Sequence, residues 1–346
     1  MPTPVPRPPR PAAPRRVAIV GTGRAGREIV RACALAPDVA LAAAVVHDRG
    51  KLGRDLAQIA GLDAATGVLA TDDLDAVLAD PAIDVVLHSG LGDPAAVAAV
   101  LGRCADHGKD AVTVSGLVHP GRALGEDGAA ALAARAIAGG ARLVGTGVNP
   151  GFVLDALPVM WGSMVAAPTA VHAQRVSEIR SWGRGILSEI GLGRPVDEVV
   201  DVSPLSVAES LAVVVDGLGL AVDEIAETVA PIPAIGRRSH GDLVVEAGRS
   251  AGFRRIASAV RDGHAVASIE WIALFCIAPE DGVEERARLR IVGETEVEAD
   301  ARGTFFGDPY PSTAARAVHA AIALRDLPPG LYRPDQLPVG RGGRAR

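Results

Sequence analysis

The sequence predicts an α/β fold in which a doubly wound parallel sheet precedes a C-terminal α+β domain on a mixed, largely antiparallel sheet. Two observations support this prediction. Apolar strands alternate with helices between residues 16 and 150, the rhythm of a parallel sheet with crossover helices. Beyond residue 150 several predicted strands follow one another without helices, and Asp262-Gly263 marks a hairpin turn between two of them.

The chain has 346 residues, which is too long for one ordinary core, so two domains are expected. We place the first domain at residues 16–150 and a second domain at 151–311. A C-terminal helix within 312–338 is expected to return to the first domain. Residues 1–15 are rich in Pro and Arg without the apolar core of a signal peptide, so they and residues 339–346 are expected to be disordered.

The composition argues against several classes of protein. Hydrophobic residues make up 49%, charged residues 22%, and the net charge is −6, which leaves no basic field to attract nucleic acid or an anionic membrane. Cys33, Cys104 and Cys276 are far apart and odd in number, so we expect neither a disulfide framework nor a metal site. The apolar runs are too short or too interrupted to span a bilayer, and a cytoplasmic location is expected.

The strongest motif lies near the N-terminus, where an apolar run over residues 17–20 leads into Gly-x-Gly-x-x-Gly and then a helical pattern. In this setting the glycines allow a tight turn, close approach of a pyrophosphate and close packing of helix on strand. The phosphates would meet the unpaired N–H groups of a helix N-terminus. We therefore predict a Rossmann-type dinucleotide site with a loop made of Gly21, Thr22, Gly23, Arg24, Ala25 and Gly26.

The end of the second predicted strand bears on the choice of dinucleotide. An acid about 20 residues beyond the glycines would bind the ribose 2′-hydroxyl of NAD, whereas basic residues would accept the 2′-phosphate of NADP. The sequence has both, since Asp48 is flanked by His47, Arg49 and Lys51. We assign His47, Asp48 and Arg49 to the cofactor and favour NADP over NAD. The alternative is that these residues form only a polar loop.

Polar residues also follow the next predicted strands. His88 and Ser89 come at the end of an apolar run, and ligands of an open parallel sheet lie at that edge, so we assign both to the cofactor. The following strand leads into the segment Ser115-Gly116-Leu117-Val118-His119, which we call the 115–119 segment. The glycine-dense residues 145–152 join the two domains, and the Asn149 amide offers both a donor and an acceptor. A simple hinge is an equally good interpretation of that crossover.

The sequence patterns also predict helices in both halves of the chain. The patterns favour helices over residues 51–60 and over an Ala-rich stretch ending near residue 137. An amphipathic helix is expected over 203–218, capped by Ser203 with Pro204 at its first position. The C-terminal helix is expected over 312–324.

Several of these pieces together resemble one family. The chain is similar to the 2,4-diaminopentanoate dehydrogenases and the related native amine dehydrogenases, which have a dihydrodipicolinate reductase-like fold. The resemblance covers residues 16–338, and Gly-Thr-Gly-Val-Asn-Pro-Gly-Phe at 145–152 is its most specific piece. The other matching stretches are residues 17–26, 52–61, 84–88, 108–113, 313–318 and Asp155.

The resemblance implies an NAD(P)-dependent enzyme that interconverts a small primary amine and its ketone with release or uptake of ammonia. The cofactor supplies the hydride chemistry, and the protein supplies positioning and electrostatics. A homodimer paired through the second domain is implied as well. We name Ser115, His119 and Asn149 as catalytic candidates, and we assign the substrate pocket to Gly116, Phe152, Arg175 and Ser177.

The chain departs from the family at one position that matters for catalysis. The amine dehydrogenases carry a glutamate in the stretch that corresponds to the 115–119 segment, and this chain has no acid there. Either another acid replaces it or the substrate is not an amine. Asp155, Glu178 and Glu189 are candidates for that replacement, and His119 is a candidate acid or base, although each is also a reasonable surface, capping or loop residue.

Two alternatives to an amine dehydrogenase stay open: a reductase of C=O or C=N bonds that uses no ammonia, and a nucleotide-binding sensor without catalysis. Other enzyme classes are disfavoured. The only lysines are Lys51 and Lys109, which argues against dihydrodipicolinate reductase itself and against a Schiff-base mechanism. The Gly-x-Ser-x-Gly string at residues 248–252 leads into a predicted strand and not into the helix that follows a nucleophile elbow, which argues against a serine hydrolase.

Overall fold

The computed structural model describes residues 13–90, 92–199 and 206–339, and this part of the chain forms two large sheets. One is wholly parallel and the other is mixed and largely antiparallel, so the predicted α/β fold class is confirmed. The disorder expected at both termini concerns segments that lie almost entirely outside the described residues. Within the described residues, no helix combines the length and the apolar character needed to cross a membrane.

The first sheet has seven parallel strands. They are β1 (Arg15–Val20), β2 (Val39–Val45), β3 (Ala70–Thr71), β4 (Val85–His88), β5 (Asp110–Thr113), β6 (Arg142–Gly145) and β15 (Gly330–Tyr332). Their spatial order is β15-β6-β5-β4-β1-β2-β3. From β1 the chain first adds β2 and β3 on one side. It then crosses to the other side of β1 and adds β4, β5 and β6 there. The ends of β1 and β4 form the switch point at which such sheets bind ligands.

Nine α-helices occur in the described residues. They are α1 (Arg24–Leu35), α2 (Leu56–Ala60), α3 (Leu74–Ala79), α4 (Pro94–Asp106), α5 (Pro120–Gly139), α6 (Ala156–Gly162), α7 (Arg184–Glu189), α8 (Ala208–Leu218) and α9 (Tyr310–Ala323). Helices α1, α2 and α9 pack on one face of the parallel sheet, and α3, α4 and α5 pack on the other. Because both faces are covered, the strands are mostly apolar, and their charged residues lie at the strand ends.

The second sheet has six strands. They are β7 (Ala170–Glu178), β8 (Glu224–Pro233), β11 (Ser250–Arg261), β12 (His264–Leu274), β13 (Arg286–Val292) and β14 (Glu296–Ala301), in the order β14-β13-β7-β12-β11-β8. The pair β7–β12 is parallel and the other pairs are antiparallel. Strands β9 (Arg238–His240) and β10 (Leu243–Val245) form a separate ribbon. Helix α8 packs on β8, β11 and β12 and covers one face of the six-stranded sheet.

The hairpin expected at Asp262-Gly263 joins β11 to β12. Both residues have positive φ, +50° and +77°, as a two-residue hairpin turn of the primed kind requires.

Two predicted helix bounds are wrong, and one predicted helix is kinked. Residues 51–60 do not form one helix, because Gly53 has a φ of +70° and Asp55 starts α2 anew by capping its first turn. The Ala-rich helix α5 is kinked at Gly125. Helix α8 begins at Ala208, and the predicted cap at Ser203 and Pro204 lies outside the described residues.

Residues near both ends of the described chain belong to the parallel sheet, which the sequence did not predict. Arg15, assigned to the disordered leader, is the first residue of β1, and its buried guanidinium pairs with Asp110 at 2.6 Å. The C-terminal stretch adds β15 to the edge of the parallel sheet in addition to its helix. That helix, α9, packs against α1.

Candidate functional site

The glycine loop after β1 has the geometry that a dinucleotide pyrophosphate requires. A Cβ on Gly26 would lie 2.1 Å from the carbonyl oxygen of Gly21, so only glycine lets α1 pack this closely on the strand. Gly23 is the N-cap of α1, and a Cβ placed on it would meet nothing within 4 Å. The first turn of α1 holds no acid, which leaves its N–H groups and the positive end of its dipole available to an anion.

Two other residues of the loop hold it in place. Thr22 is buried, and its carbonyl oxygen accepts a hydrogen bond from the Lys51 ammonium at 3.1 Å. Arg24 reaches the second half of the chain, where it donates to the carbonyl of Ser181 and pairs with Asp308 at 3.2 Å. Its guanidinium also lies 4.4 Å from the centre of the Tyr310 ring. The predicted phosphate contact of Arg24 stays a prediction, and the structure adds a bridging role between the two halves.

A cleft of about 460 Å³ adjoins the ends of β2 and β4. Its polar wall is formed by His47, Asp72, Asp73, Asp75 and His88 and its apolar wall largely by α4. A cleft at this edge of a parallel sheet, with an apolar wall against which a base can pack and polar groups opposite it, suits the adenosine part of a dinucleotide.

Asp48 and Arg49 belong to the turn that borders this cleft. The Asp48 carboxylate accepts from the Gly50 N–H at 3.0 Å and lies 3.7 Å from the Lys51 ammonium. Arg49 is exposed. The charge of Asp48 is thus partly neutralised by Lys51, and the next residue, Arg49, is a second cation in the same turn.

His88 and Ser89 connect the end of β4 to the structures on either side. The Ser89 hydroxyl donates to the Gly21 carbonyl at 3.0 Å, which ties β4 to the glycine loop. His88 Nδ1 lies 3.0 Å from Thr113 Oγ1 on β5. Burial lowers the pKa of His88 to about 4, and the nearby His47 acts in the same direction. The ring is therefore neutral at physiological pH.

The 115–119 segment crosses the ends of β4, β5 and β6. The Ser115 hydroxyl donates to the carbonyl of Gly90 at 2.7 Å. Gly116 has a φ of +86°, a conformation that strains any other residue. The segment ends at His119, the N-cap of α5, whose Nδ1 accepts from the Arg122 N–H and whose Nε2 lies 3.0 Å from Asp216. Both ring nitrogens of His119 are engaged, and its catalytic role stays a prediction.

A carboxylate from another element reaches this segment. Glu209, in the first turn of α8, accepts from the His119 N–H at 3.1 Å and also from the Val118 N–H. One of its oxygens, Oε1, lies 3.9 Å from the position that a Cβ on Gly116 would occupy. Burial raises the pKa of Glu209, the two N–H donors and His119 oppose that rise, and Asp155 adds to it.

Sequence reasoning missed Glu209, although a signal was present. Between Val207 and Val215 the chain reads Val-Ala-Glu-Ser-Leu-Ala-Val-Val-Val, so Glu209 is the only charge in an otherwise apolar helical run. A lone acid in such a run is rarely buried without a partner or a function.

The crossover after β6 is held by a buried carboxylate. Asp155 accepts from the N–H groups of Gly151 and Ala156, each at 2.7 Å, and from the Ser210 hydroxyl at 2.8 Å. Burial raises the pKa of Asp155, and these donors and the Arg316 charge oppose the rise. Asn149, by contrast, keeps its buried Oδ1 without a hydrogen-bond partner. An orphan acceptor beside a cleft is a candidate ligand contact.

The remaining candidate acids have other surroundings. Glu178 is buried and accepts from the N–H groups of Cys276 and Ile277 at 2.8 and 2.9 Å, and it pairs with Arg180. Glu189 is exposed on α7. Neither contacts the 115–119 segment in the described structure, whereas Glu209 does.

The residues assigned to the substrate pocket are spread over both halves. Arg175 and Ser177 lie on β7, where Arg175 Nε donates to Ser177 Oγ at 2.8 Å and one terminal nitrogen of the guanidinium is buried without a partner. Burial lowers the pKa of Arg175 to about 10. Phe152 lines a cleft of about 560 Å³ between α6 and α9, with Arg316 4.6 Å from its ring centre. Gly116 adjoins the ends of β5 and β6, as described above.

The edge at which the parallel strands end is called the carboxyl edge below. The residues assigned to the cofactor lie at this edge, and so do Ser115, Gly116 and Asn149. The groups there fit a dinucleotide, because the glycine loop is open, the helix N-terminus is unopposed and a cleft of suitable polarity adjoins it. The described residues include no group of three or more His, Cys, Asp and Glu side chains that could hold a metal ion.

Two family models cover most of the chain. The 2,4-diaminopentanoate dehydrogenase C-terminal domain matches residues 152–343, and the dihydrodipicolinate reductase N-terminus matches residues 15–116. These matches agree with the family suggested by the sequence motifs.

Relatives with determined sequences and structures agree with the family models. An amine dehydrogenase of Streptomyces virginiae is 28% identical over an alignment 358 residues long, which covers 94% of this chain and 97% of the relative. The structure of an amine dehydrogenase from Mycobacterium smegmatis has a TM-score of 0.80 at 22% identity, covering 94% of this chain and 97% of that one. GenD2 from gentamicin A biosynthesis, solved in complex with NAD, has a TM-score of 0.57 at 17% identity, covering 96% and 93%.

Proposed function

Because this chain belongs to the 2,4-diaminopentanoate dehydrogenase family and is an NAD(P)-dependent oxidoreductase, we propose that it interconverts a small primary amine and its ketone with release or uptake of ammonia. The observation that carries the proposal is the family match over residues 152–343. The glycine loop indicates a coenzyme but leaves the substrate open, since dinucleotide-binding domains serve many dehydrogenases. The second half of the chain is the part that distinguishes them.

The coenzyme is a nicotinamide dinucleotide, and we propose that NADP is preferred. Gly21, Gly23 and the first turn of α1 would hold the pyrophosphate, and the cleft beside His47 would hold the adenosine part. The support for NADP is the cationic surroundings of Asp48, whose charge Lys51 partly neutralises. A 2′-phosphate would gain from Arg49 and Lys51, whereas a lone acid would favour the 2′-hydroxyl of NAD.

The proposed reaction balances as R₂CH–NH₃⁺ + NAD(P)⁺ + H₂O giving R₂C=O + NH₄⁺ + NAD(P)H + H⁺. The bound coenzyme supplies the hydride chemistry at the carbon that bears the nitrogen. The protein has to orient that carbon, stabilise positive charge on the nitrogen and manage its protons. Asn149 Oδ1, which is buried without a partner, would accept an N–H bond from the amine or the coenzyme, and the Ser115 hydroxyl would hold the 115–119 segment against the end of β4.

The proposal is tested by following the oxidation of NADPH and NADH with a panel of small ketones, with and without ammonium. We expect oxidation of the reduced coenzyme that requires ammonium. Oxidation that is equally fast without ammonium would instead indicate a carbonyl reductase. Coenzyme binding without any turnover across the panel would favour a nucleotide-binding sensor.

The carbonyl reductase is the second candidate function, and one observation favours it. The 115–119 segment has no acid of its own, and a neutral carbonyl substrate needs less negative charge nearby than a cationic imine does.

We also propose that the chain forms a homodimer in the cytoplasm. Support for the dimer comes from the face of the six-stranded sheet opposite α8, which is defined by residues such as His172, Gln174, Ser268, Glu270 and Arg290. A groove of about 690 Å³ lies on this face. Support for a reducing compartment comes from the three cysteines, all of which are free thiols.

A further inference from the structure

A carboxylate from a distant part of the chain reaches the 115–119 segment, which has no acid of its own. Glu209 reaches the segment from α8 and accepts from the backbone N–H groups of Val118 and His119. Its Oε1 lies 3.9 Å from the Cβ position of Gly116. The two N–H donors fix the carboxylate relative to the ends of β5 and β6 without neutralising it, because neither donor carries a formal charge.

The position matters because of where the coenzyme has to lie. With the pyrophosphate at the glycine loop and the adenosine part beside β2, the nicotinamide half extends over β4 and β5. Gly116 follows β5, and a Cβ on Gly145, the last residue of β6, would lie 2.3 Å from the Gly116 carbonyl oxygen. The carboxylate of Glu209 is therefore adjacent to the strand ends at which the substrate meets the coenzyme.

We infer that Glu209 is the carboxylate that binds the substrate nitrogen, stabilises its positive charge and takes its proton. This inference rests on the proposed function. In the direction of amine oxidation, the Glu209 carboxylate accepts one proton from R₂CH–NH₃⁺ and leaves R₂CH–NH₂ with a free lone pair. Glu209 then releases this proton to solvent, which accounts for the H⁺ of the overall reaction, and is again a charged carboxylate. The nitrogen lone pair would form the C=N bond as the carbon gives up its hydride to the oxidised coenzyme, and the product R₂C=NH₂⁺ would carry its positive charge opposite the Glu209 carboxylate. Water then adds to the carbon and releases NH₄⁺.

The surroundings of Glu209 suit a group that gains and loses a proton. Burial favours the neutral acid, and the Asp155 charge on α6 adds to that effect. The N–H groups of Val118 and His119 favour the carboxylate. His119 at the start of α5 faces the same group, and Arg316 on α9 acts on Asp155.

The test compares Glu209→Gln with Asp216→Asn in the full-length enzyme. Glutamine keeps an oxygen for the backbone N–H donors and removes only the charge and the proton site. Asp216 lies two turns further along α8 and contacts the His119 ring. Asp216→Asn therefore removes one carboxylate beside the same segment and is the matched control. We expect Glu209→Gln to lower kcat for amine formation about 100-fold. The limb of the pH profile of kcat that reports protonation of Glu209 should disappear in this variant. Asp216→Asn should stay within about threefold, with coenzyme affinity and Tm preserved in both.

A second variant separates the carboxylate from the fold around it. Ser115→Glu in the Glu209→Gln background places an acid on the segment itself, at a residue whose φ is not positive. Gly116 is unsuitable for this purpose because of its φ of +86°. We expect the double variant to have a kcat at least tenfold above that of Glu209→Gln. Ser115→Gln in the same background should leave kcat as low as in Glu209→Gln.

Binding distinguishes failure of this inference from failure of the proposed function. The probes are isopropylammonium and isopropanol, titrated against the enzyme saturated with oxidised coenzyme. If Glu209 has the inferred role, Glu209→Gln weakens binding of the ammonium at least tenfold and leaves binding of the alcohol unchanged. Equal affinities of wild type and Glu209→Gln for the ammonium would overturn the inference, as would a larger loss of kcat in Asp216→Asn. A wild-type enzyme that binds the ammonium through Glu209 but turns over no amine contradicts the proposed function alone.

Discussion

The Lys51 ammonium donates a hydrogen bond at 3.1 Å to the backbone carbonyl of Thr22, and so joins the turn after β2 to the glycine loop. The same ammonium lies 3.7 Å from the Asp48 carboxylate. One cation thus links the pyrophosphate end of the proposed coenzyme site to the ribose end. This arrangement leads to a prediction about coenzyme choice.

Arg49→Ala is expected to weaken NADPH binding about tenfold and NADH binding less than twofold, because only the 2′-phosphate gains from this exposed cation. Arg54→Ala, another exposed arginine just beyond the same turn, is the control and should change neither affinity. Quenching of intrinsic fluorescence measures both dissociation constants. Equal losses for the two coenzymes would refute the preference for NADP.

Gly26→Ala is expected to abolish measurable coenzyme binding and to reduce stability by about 1–3 kcal/mol, the usual cost of overpacking. The added methyl group would lie 2.1 Å from the Gly21 carbonyl oxygen, so α1 would have to move away from the strand. Gly185→Ala is the control, since nothing lies within 4 Å of that position. Unchanged coenzyme affinity in a folded Gly26→Ala variant would contradict the proposed pyrophosphate site.

His88 gives the protein a pH-dependent stability. Its pKa is about 4 in the folded protein against 6.5 for the free side chain, so the unfolded chain binds the extra proton between these values. Stability therefore falls as the pH drops from about 6.5 to 4, by about 3 kcal/mol from this residue. His88→Asn should lose most of that dependence relative to wild type, whereas exposed His240→Asn should keep it. Urea unfolding at pH 7 and pH 4.5 makes the comparison, and parallel curves for wild type and His88→Asn would contradict it.

The open face of the six-stranded sheet is expected to pair with a second copy. Light scattering after size exclusion should give twice the chain mass of 35.3 kDa for the wild type. Ser268→Arg, at the centre of that face, should shift the protein towards monomer because it adds a bulky charge to the pairing surface. Exposed Ser188→Arg on α7 is the control. A monomeric wild type at micromolar concentration would be incompatible with the dimer.

The sequence predicted best what depends on local pattern. The strand–turn–helix motif at Gly21, Gly23 and Gly26, the hairpin at Asp262-Gly263 and the fold class follow from contiguous residues, each with one physical reason. The helical pattern over residues 51–60 failed because one glycine with positive φ interrupts it. His119-Pro120 could have been interpreted as a helix N-cap followed by proline at the first position, which is how the structure uses it.

What could not be predicted depends on contacts between distant residues. Strand β15 is three residues long and exists only because β6 offers an edge for it. Glu209 approaches the 115–119 segment from about ninety positions away, as the separation of His119 and Glu209 shows. Spacing along the chain carries no information on such a contact. The candidate acids that spacing did suggest, Glu178 and Glu189, have other surroundings.

The central claim is that this enzyme joins ammonia to the carbonyl carbon of a ketone. The most direct measurement incubates the enzyme with reduced coenzyme, a ketone that is turned over and ¹⁵N-labelled ammonium, and identifies the product by mass spectrometry. The expected product is a primary amine that carries one ¹⁵N atom, formed in a one-to-one ratio with oxidised coenzyme. An unlabelled alcohol formed in that ratio would contradict it.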